Sequence, residues 1–456
     1  MKKRLFGTSG IRGIVNTEIT PKLSLQTGLA IATHLNNKGA VTVAHDTRTS
    51  SPMLEAALSS GLLGGGCDVL RMGLAPTPVL AYLTMGLDAA AGLMITASHN
   101  PPEYNGIKVF NGDSMAYTDE QQAEIQRIIE DGRFRRVPWH GVGSSTNVEE
   151  TERYVEMVLG AVELSRRWRV AIDPGCGATC HIAPQILRRL GCSVTAINAQ
   201  PDGFFPGRGP EPTPSSLSSL SRIVRSVGAD VGFAYDGDGD RMALVDERGE
   251  VSPSDRLLAA YAGHVVRRSG GGVVVTHVGA SMCVDEAVEA EGGRVLRMGV
   301  GDVNIAIGLR ESGALFGGEP VGSWIHPDHH LCPDGILSSV LVLKALEEKG
   351  ETPSQFVSRV PTYPVLRAKV DCPDQLKGGV MGRLKKRLLE AFPDYKEVLG
   401  LDGIRLSLEG GWLLVRPSGT EPVIRITSEA ESVGRAEGMM EGCLQTLRLA
   451  IKEASP

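Results

Sequence analysis

The sequence predicts an α/β protein of four domains around a central cleft: three repeated α/β units with mixed, mostly parallel sheets, then a C-terminal α+β domain. Three observations predict it. First, the pattern Gly-x-x-Val-Leu-Arg-Met-Gly occurs at Gly66–Gly73 and again at Gly292–Gly299, with Gly191-Cys192-Ser193-Val194 as a middle copy. Second, each copy follows a strand-like run and an amphipathic stretch; the runs are Val41–Ala44, Arg169–Ile172 and Gly272–Val275. Each copy then leads through another expected helix to a third strand, at Gly92–Ile95, Asp230–Tyr235 and Ala314–Phe316. Such β-α-β-α-β successions favour mostly parallel sheets covered by helices. Third, from about Val365 the tail reads strand, helix (Asp374–Phe392), strand (Gly403–Glu409), strand (Gly411–Val415), loop, strand (Val423–Ala430) and helix (Ser432–Glu453).

The domains are expected at residues 1–149, 150–250, 251–364 and 365–456, with Pro361-Thr362-Tyr363-Pro364 as the last hinge. A chain of 456 residues needs several cores. In each repeated unit the third strand runs into a loop of unusual chemistry, at Thr96–Pro101, Asp236–Arg241 and Gly317–Ser323. Ligands in open α/β sheets sit at the carboxyl ends of strands, so three such loops point to one shared cleft.

Composition narrows the function classes. A net charge of −6 argues against a dedicated nucleic-acid binder. The eight cysteines form no Cys-x-x-Cys pair and read as buried apolar residues in a reducing compartment. Basic Met1-Lys2-Lys3-Arg4 leads into polar Gly7-Thr8-Ser9-Gly10, unlike a signal peptide. No apolar run approaches the roughly 18 residues of a membrane helix. The cytoplasm is the expected location, with no membrane or nucleic-acid partner; a homo-oligomer is compatible.

The loops carry the chemistry. Ser98 stands beside His99 where the apolar run Ala91–Ile95 ends. A bare hydroxyl is a poor nucleophile and needs a base or a metal. The Gly-x-Ser-x-Gly elbow of a serine hydrolase is missing. Asp236, Asp238 and Asp240 alternate with glycines, a spacing that lets all of them face one hard cation such as Mg²⁺. An EF-hand would need glycine where Arg241 stands, and strand-like flanks also argue against it. A solvated acidic turn is the plain alternative. Near a serine, the trio suits a phosphorylated hydroxyl.

Arg416-Pro417-Ser418-Gly419-Thr420-Glu421-Pro422 has the composition of an anion cradle. Arg416 offers a bidentate donor, Ser418 and Thr420 offer hydroxyls, and Gly419 lets the backbone approach. Arg425, early in the next strand, is expected to point at the same site. Phe6–Gly13 is rich in glycines and hydroxyls, and its Arg12 would stabilise a phosphoryl group. Lys108 is expected on a strand edge, where a nearby metal would lower its pKa toward acid/base work.

These motifs together resemble the α-D-phosphohexomutase family, end to end and in the right order, through Gly7–Gly13, Thr96–Pro101, Asp236–Arg241, Gly318-Glu319 and Arg416–Pro422. The resemblance implies four domains around a deep cleft. It implies a phosphoserine at Ser98 and one Mg²⁺ bound by that group with Asp236, Asp238 and Asp240. It implies transfer of phosphate between O6 and O1 of a hexose phosphate through a sugar 1,6-bisphosphate. By position, Arg12, His99 and Lys108 assist transfer. Arg241, Glu319 and Ser323 face the sugar. Arg416, Ser418, Gly419, Thr420 and Arg425 hold the idle phosphate.

One loop departs from the family pattern. Many relatives read Gly-Glu-x-Ser-Gly-His, whereas this chain reads Gly318-Glu319-Pro320-Val321-Gly322-Ser323. His326, His329 and His330 are candidates to replace the missing histidine. The Gly-Glu-Pro-x-Gly-x-Trp form is most similar to archaeal-type phosphoglucosamine mutases. That implies glucosamine 6-phosphate and glucosamine 1-phosphate as substrates, with mannose or glucose phosphates, or a sugar-phosphate phosphatase, as alternatives.

Overall fold

The computed structural model describes residues 5–7, 10–419 and 421–454, so Thr8, Ser9 and Thr420 of the motifs above lie outside it. Each repeated unit is built on the same four strands. In spatial order these are an antiparallel fourth strand, then the third, first and second strands running parallel. In the first unit they are Tyr104–Asn111, Ala91–Ile95, Ala40–His45 and Asp68–Leu74. In the second they are Met242–Val245, Val231–Tyr235, Arg169–Asp173 and Ser193–Ala196. In the third they are Ser323–Ile325, Phe316–Glu319, Gly272–His277 and Gly293–Met298.

The central strands are apolar on both faces because helices cover both sides of the sheet. Ala91–Ile95 and Val231–Tyr235 are buried along their whole length. Short strands Phe6–Gly7, Gly10–Ile14 and Ser145–Asn147 widen the first sheet to seven. Helix ends follow ordinary capping chemistry. Thr118 and Gln121 form a capping box at Asp119–Asp131, and Gly132 closes that helix in the left-handed region at φ 65°.

The third strand of the third unit is a correction. The sequence suggests a strand at Ala314–Phe316 and a loop from Gly317. The structure instead carries the strand through Phe316–Glu319, turns over residues 320–322 and starts the next strand at Ser323. Gly317 and Gly318 look like loop residues but are glycines for space. A Cβ on Gly317 would lie 2.6 Å from Ile305 Cγ2, and one on Gly318 would lie 2.8 Å from Leu258 Cδ1. The covering helices press on this strand from both faces.

The C-terminal unit is a five-stranded antiparallel sheet. Its order is Val365–Asp371, Val423–Ala430, Gly411–Pro417, Ile404–Leu408, Glu397–Leu399. Helices Asp374–Ala391 and Val433–Ala454 cover one face around Leu384, Leu406, Ile426 and Leu447. This unit docks on the third unit. Glu429 accepts from Met282 N–H at 2.8 Å, and Val278, Trp412 and Leu414 form an apolar contact.

All eight cysteines are buried and free. Among the described residues, no helix is long and apolar enough to cross a membrane.

Candidate active site

The three repeated units meet at the loop that holds the aspartates. Thr77 N–H of the first unit donates to Asp238 O at 2.8 Å. Gly335 N–H of the third donates to Gly239 O at 3.1 Å. Both residues open helices, Thr77–Gly86 and Gly335–Lys349, so two helix N-termini face an acidic loop, which favours negative charge there. Met242 N–H donates to Gly322 O at 3.0 Å, and Arg241 bridges Ser323, which joins the edges of the second and third sheets.

Asp236, Asp238 and Asp240 are all buried, and a carboxylate oxygen from each lies within 4.8 Å of the others. Asp236 Oδ1 accepts from Gly239 N–H at 3.0 Å and Arg241 N–H at 3.1 Å, so the loop folds around its own first carboxylate. Asp236 Oδ2 accepts from Ser98 Oγ at 2.7 Å. Asp238 Oδ2 takes Thr77 Oγ1 at 2.5 Å and Lys108 Nζ at 2.7 Å. Lys108 Nζ also reaches Asp240 Oδ2 at 2.6 Å. The remaining oxygens, Asp238 Oδ1 and Asp240 Oδ1, are buried without a hydrogen-bond partner; Asp240 Oδ1 has only Arg241 Nε, 3.9 Å away. Unpaired buried carboxylate oxygens are costly. An all-oxygen donor set with spare lone pairs fits a hard divalent cation of the Mg²⁺ kind.

The electrostatics divide the trio. Burial, then Asp240 and Asp238, pushes the Asp236 carboxyl well above the usual range. Burial also acts on Asp238, but Lys108 outweighs it and holds that group low. Burial alone would lower Lys108; Asp238 and Asp240 reverse this and raise it. The sequence expectation of a lowered Lys108 belongs to a metal-bound site; in the ligand-free protein the two carboxylates raise it instead. The residue is no edge lysine: its strand lies between Gly10–Ile14 and Ala91–Ile95.

His99 Nδ1 lies 3.1 Å from Ser98 Oγ. Burial, with Arg241, Arg12 and Lys108, lowers the imidazole to about 3, so it is neutral at ordinary pH. Arg12 Nη1 donates to Asn100 Oδ1 at 3.1 Å; burial lowers its pKa despite Asp238 and Asp240. Arg241 sits 3.9 Å from Asp240 and 3.8 Å from Glu211.

Glu319 accepts from Gly301 N–H at 3.0 Å and is the cross-strand partner of Ser323. Burial raises its pKa to about 7. The ionised form, the better acceptor for sugar hydroxyls, is therefore populated above that pH. If Glu319 binds the sugar, kcat/KM is expected to rise as pH increases through about 7. Glu319→Gln is expected to flatten that limb, and an unchanged pH profile in the variant would remove Glu319 from this role.

The candidate cradle is a separate group. Arg416 and Arg425 are cross-strand partners and share a face, as the sequence suggests. Their ion pairs stay local, Arg416 to Asp402 at 2.8 Å and Arg425 to Glu421 at 2.5 Å. Ser418 Oγ accepts from Glu421 N–H at 3.1 Å, and Lys377 Nζ braces the loop through Ser418 O and Glu421 O. Gly419 has open space where a Cβ would lie.

Four domain descriptions of phosphoglucomutase/phosphomannomutase match in order: alpha/beta/alpha domain I at residues 3–136, domain II at 152–249, domain III at 253–363 and the C-terminal domain at 362–443. The chain belongs to the phosphoglucomutase/phosphomannomutase family. It is a phosphohexomutase, an isomerase of carbohydrate metabolism. A protein of Methanothermobacter thermautotrophicus described as a probable phosphoglucosamine mutase is 48% identical over 96% of this chain and 97% of its own length. One of the same description from Pyrococcus abyssi is 46% identical over 99% of both chains. The crystal structure of a phosphoglucomutase/phosphomannomutase family protein from Burkholderia thailandensis superposes with a TM-score of 0.87 at 28% identity, over 99% of this chain and 98% of that one.

In this phosphohexomutase the structure brings Ser98, His99, Lys108 and the three aspartates together, with Arg12 and Arg241 beside them. Ser323 stands at the joined sheet edges, with Glu319 as its cross-strand partner one strand in. Two of the three histidines proposed as replacements are paired inside the protein. His326 Nε2 pairs with Ser338 Oγ at 2.9 Å, and His330 Nε2 with Asp334 Oδ2 at 3.0 Å. His329 lines an outer cavity of about 420 Å³ with Tyr261, His264 and Lys344. Sequence reasoning missed Thr77, whose place at the first turn of a helix after Pro76 gives no hint of a partner 161 residues on.

Proposed function

We propose that this phosphohexomutase moves phosphate between O6 and O1 of glucosamine phosphate by way of a phosphoserine at Ser98 and a bisphosphorylated sugar. One observation carries the reading: Ser98 Oγ meets Asp236 at 2.7 Å inside a buried aspartate cluster that also holds Lys108. Mg²⁺, when bound by Asp236, Asp238, Asp240 and the phosphorylated serine, offsets the negative charge of the group in transfer. The protein's own residues do the rest. Arg12 and Lys108 set two cations beside the phosphoryl group, and neutral His99 hydrogen-bonds Oγ.

Phosphate leaves Ser98 Oγ for a sugar hydroxyl, whose proton ends on Oγ; the bisphosphorylated sugar turns over, and its other phosphate returns to Oγ as that proton passes to the freed sugar oxygen. Glu319 accepts from the sugar hydroxyls at C3 and C4. Arg416, Ser418 and Gly419, with Thr420 next to them, hold whichever phosphate is idle. That division explains two anion sites on separate units.

Two features support glucosamine phosphate over the other hexose phosphates. The full-length relatives at 44–48% identity carry the description probable phosphoglucosamine mutase. The sugar turn also has the form Gly318-Glu319-Pro320-Val321-Gly322-Ser323-Trp324. Phosphorus NMR of the enzyme with Mg²⁺, a trace of bisphosphorylated sugar and, in turn, the 1-phosphates of glucosamine, glucose and mannose tests both levels. The highest kcat/KM for glucosamine 1-phosphate, with 6-phosphate as product, is expected. Faster turnover of glucose or mannose phosphate would replace the sugar, and release of free phosphate alone would replace the mutase with a hydrolase.

A further inference from the structure

Ser98 holds a left-handed backbone, φ 52°, and the peptide groups on both its sides are tied to one buried ion pair. Its N–H donates to Thr96 Oγ1 at 2.8 Å, and that hydroxyl donates to Asp46 Oδ2 at 2.7 Å. Its C=O accepts from Arg48 Nη2 at 3.0 Å. Arg48 Nε closes the circuit on Asp46 Oδ2 at 3.0 Å. The same guanidinium donates to the carbonyls of Asn100 at 2.7 Å, Pro101 at 2.5 Å and Tyr104 at 2.8 Å. Every N–H of the fork is therefore spent on Asp46 and on the loop around the serine. Asp46 is 0% exposed and Arg48 1%, and neither belongs to the cluster that faces the transferred group.

The second unit repeats the device. Asp173, at the end of its first strand, forms an ion pair with Arg208 Nε at 3.1 Å. Arg208 Nη2 donates to Tyr235 O at 2.6 Å, the carbonyl just before Asp236. One segment joins the two clamps. A Cβ on Gly203 would lie 2.5 Å from Thr47 O, and the Arg48 guanidinium lies over the Phe205 ring at 5.3 Å. Three residues later the segment delivers Arg208 itself.

We propose that Arg48 is a positioning residue for phosphoryl transfer. With Asp46 it fixes the main chain of Ser98 so that Oγ meets the aspartate cluster, and residues 203–208 register this clamp to the one Arg208 places on the metal loop. The proposal rests on the phosphoserine reading above. Loop carbonyls alone do not hold a non-glycine residue at positive φ. A serine released by about 1 Å loses roughly 100-fold in rate.

The test compares Arg48→Lys and Thr96→Val with the wild type. A lysine keeps the charge but cannot make the five-donor fork, and the valine removes only the hydroxyl that links Asp46 to Ser98 N–H. The readouts are kcat and KM per folded enzyme, thermal midpoint, and mass-spectrometric occupancy of phosphate on Ser98 after exposure to bisphosphorylated sugar. Arg48→Lys is expected to lose about 100-fold in kcat, with KM within about threefold because the cradle is untouched. Its Ser98 is expected to gain phosphate more slowly. Thr96→Val is expected to show the same split at about tenfold. A part that only stabilised the fold would lower the midpoint and leave kcat per folded enzyme alone, which would overturn the proposal. Should Arg48→Lys not fold, unchanged kcat in Thr96→Val overturns it. If the wild type never gains phosphate on Ser98, the phosphoserine reading itself fails, a result separate from normal kcat in the variants.

Discussion

Ser98→Ala is expected to fold like the wild type and to lose turnover by at least about 10⁴-fold, because on the proposed pathway it removes the group that carries the phosphate. The side chain is small and 1% exposed, so its loss opens little space. Alanine tolerates φ 52° about as poorly as serine does, so the backbone strain is unchanged. Two hydrogen bonds disappear, one to Asp236 and one to His99. Asp236 keeps the N–H groups of Gly239 and Arg241 on its other oxygen, so the metal loop retains its shape. The thermal midpoint and the Mg²⁺-induced shift in that midpoint should therefore survive, while isomerisation of glucosamine 1-phosphate and phosphate occupancy at position 98 should vanish. Turnover near the wild-type rate would refute the phosphoserine pathway outright.

Which parts were legible in the sequence follows from the range of the interactions. The repeated units could be read because the second strands of the first and third share a local pattern, Gly-x-x-Val-Leu-Arg-Met, and the middle one keeps its Gly-x-x-Val. The serine and the aspartates could be read because short polar residues and glycines at a buried strand's exit are a local signature. Glycine misled at Gly317 and Gly318, where it answers to helices packed across the sheet rather than to a turn. Position misled at Lys108: a lone lysine between Ile107 and Val109 reads as a strand-edge residue, but its strand is interior and the two carboxylates that pair with it come 130 and 132 residues later. Arg48 and Arg208 left no mark either. Each satisfies main-chain carbonyls, and a carbonyl belongs to every residue type. The strand Glu397–Leu399, three residues at a sheet edge, is too short for alternation to show. The histidines near the sugar turn looked available because the turn that brings Asp334 back to His330, four residues on, and Ser338 to His326, twelve on, leaves no periodic pattern.

Lys108→Met is expected to be destabilised by about 3–5 kcal/mol at neutral pH, the usual result of removing one partner from a buried ionic group. The ammonium is 3% exposed and lies 2.7 Å from Asp238 and 2.6 Å from Asp240. Methionine fills much of the same volume, so the loss is electrostatic rather than a cavity. It leaves three buried carboxylates within 4.8 Å of one another without the ammonium that bridges two of them. The pH dependence has a definite sign. Lys108 holds the Asp238 carboxyl below its ordinary value of 3.8. The stability that pair contributes is present above that value and is lost as pH falls through the lower, folded one. The gap between variant and wild type should thus be widest near neutral pH and above and should narrow as pH falls, because without Lys108 the cluster's carboxylates take up protons at higher pH than in the wild type. Added Mg²⁺ should raise the variant's midpoint more than the wild type's, since in the wild type the ammonium competes for Asp238 Oδ2 and Asp240 Oδ2. Denaturant melts across pH 3–8, with and without Mg²⁺, measure all of this. A variant as stable as the wild type at neutral pH, with no extra response to Mg²⁺, would mean that Lys108 does not offset charge on Asp238 and Asp240, and the case for a divalent cation there would fall with it.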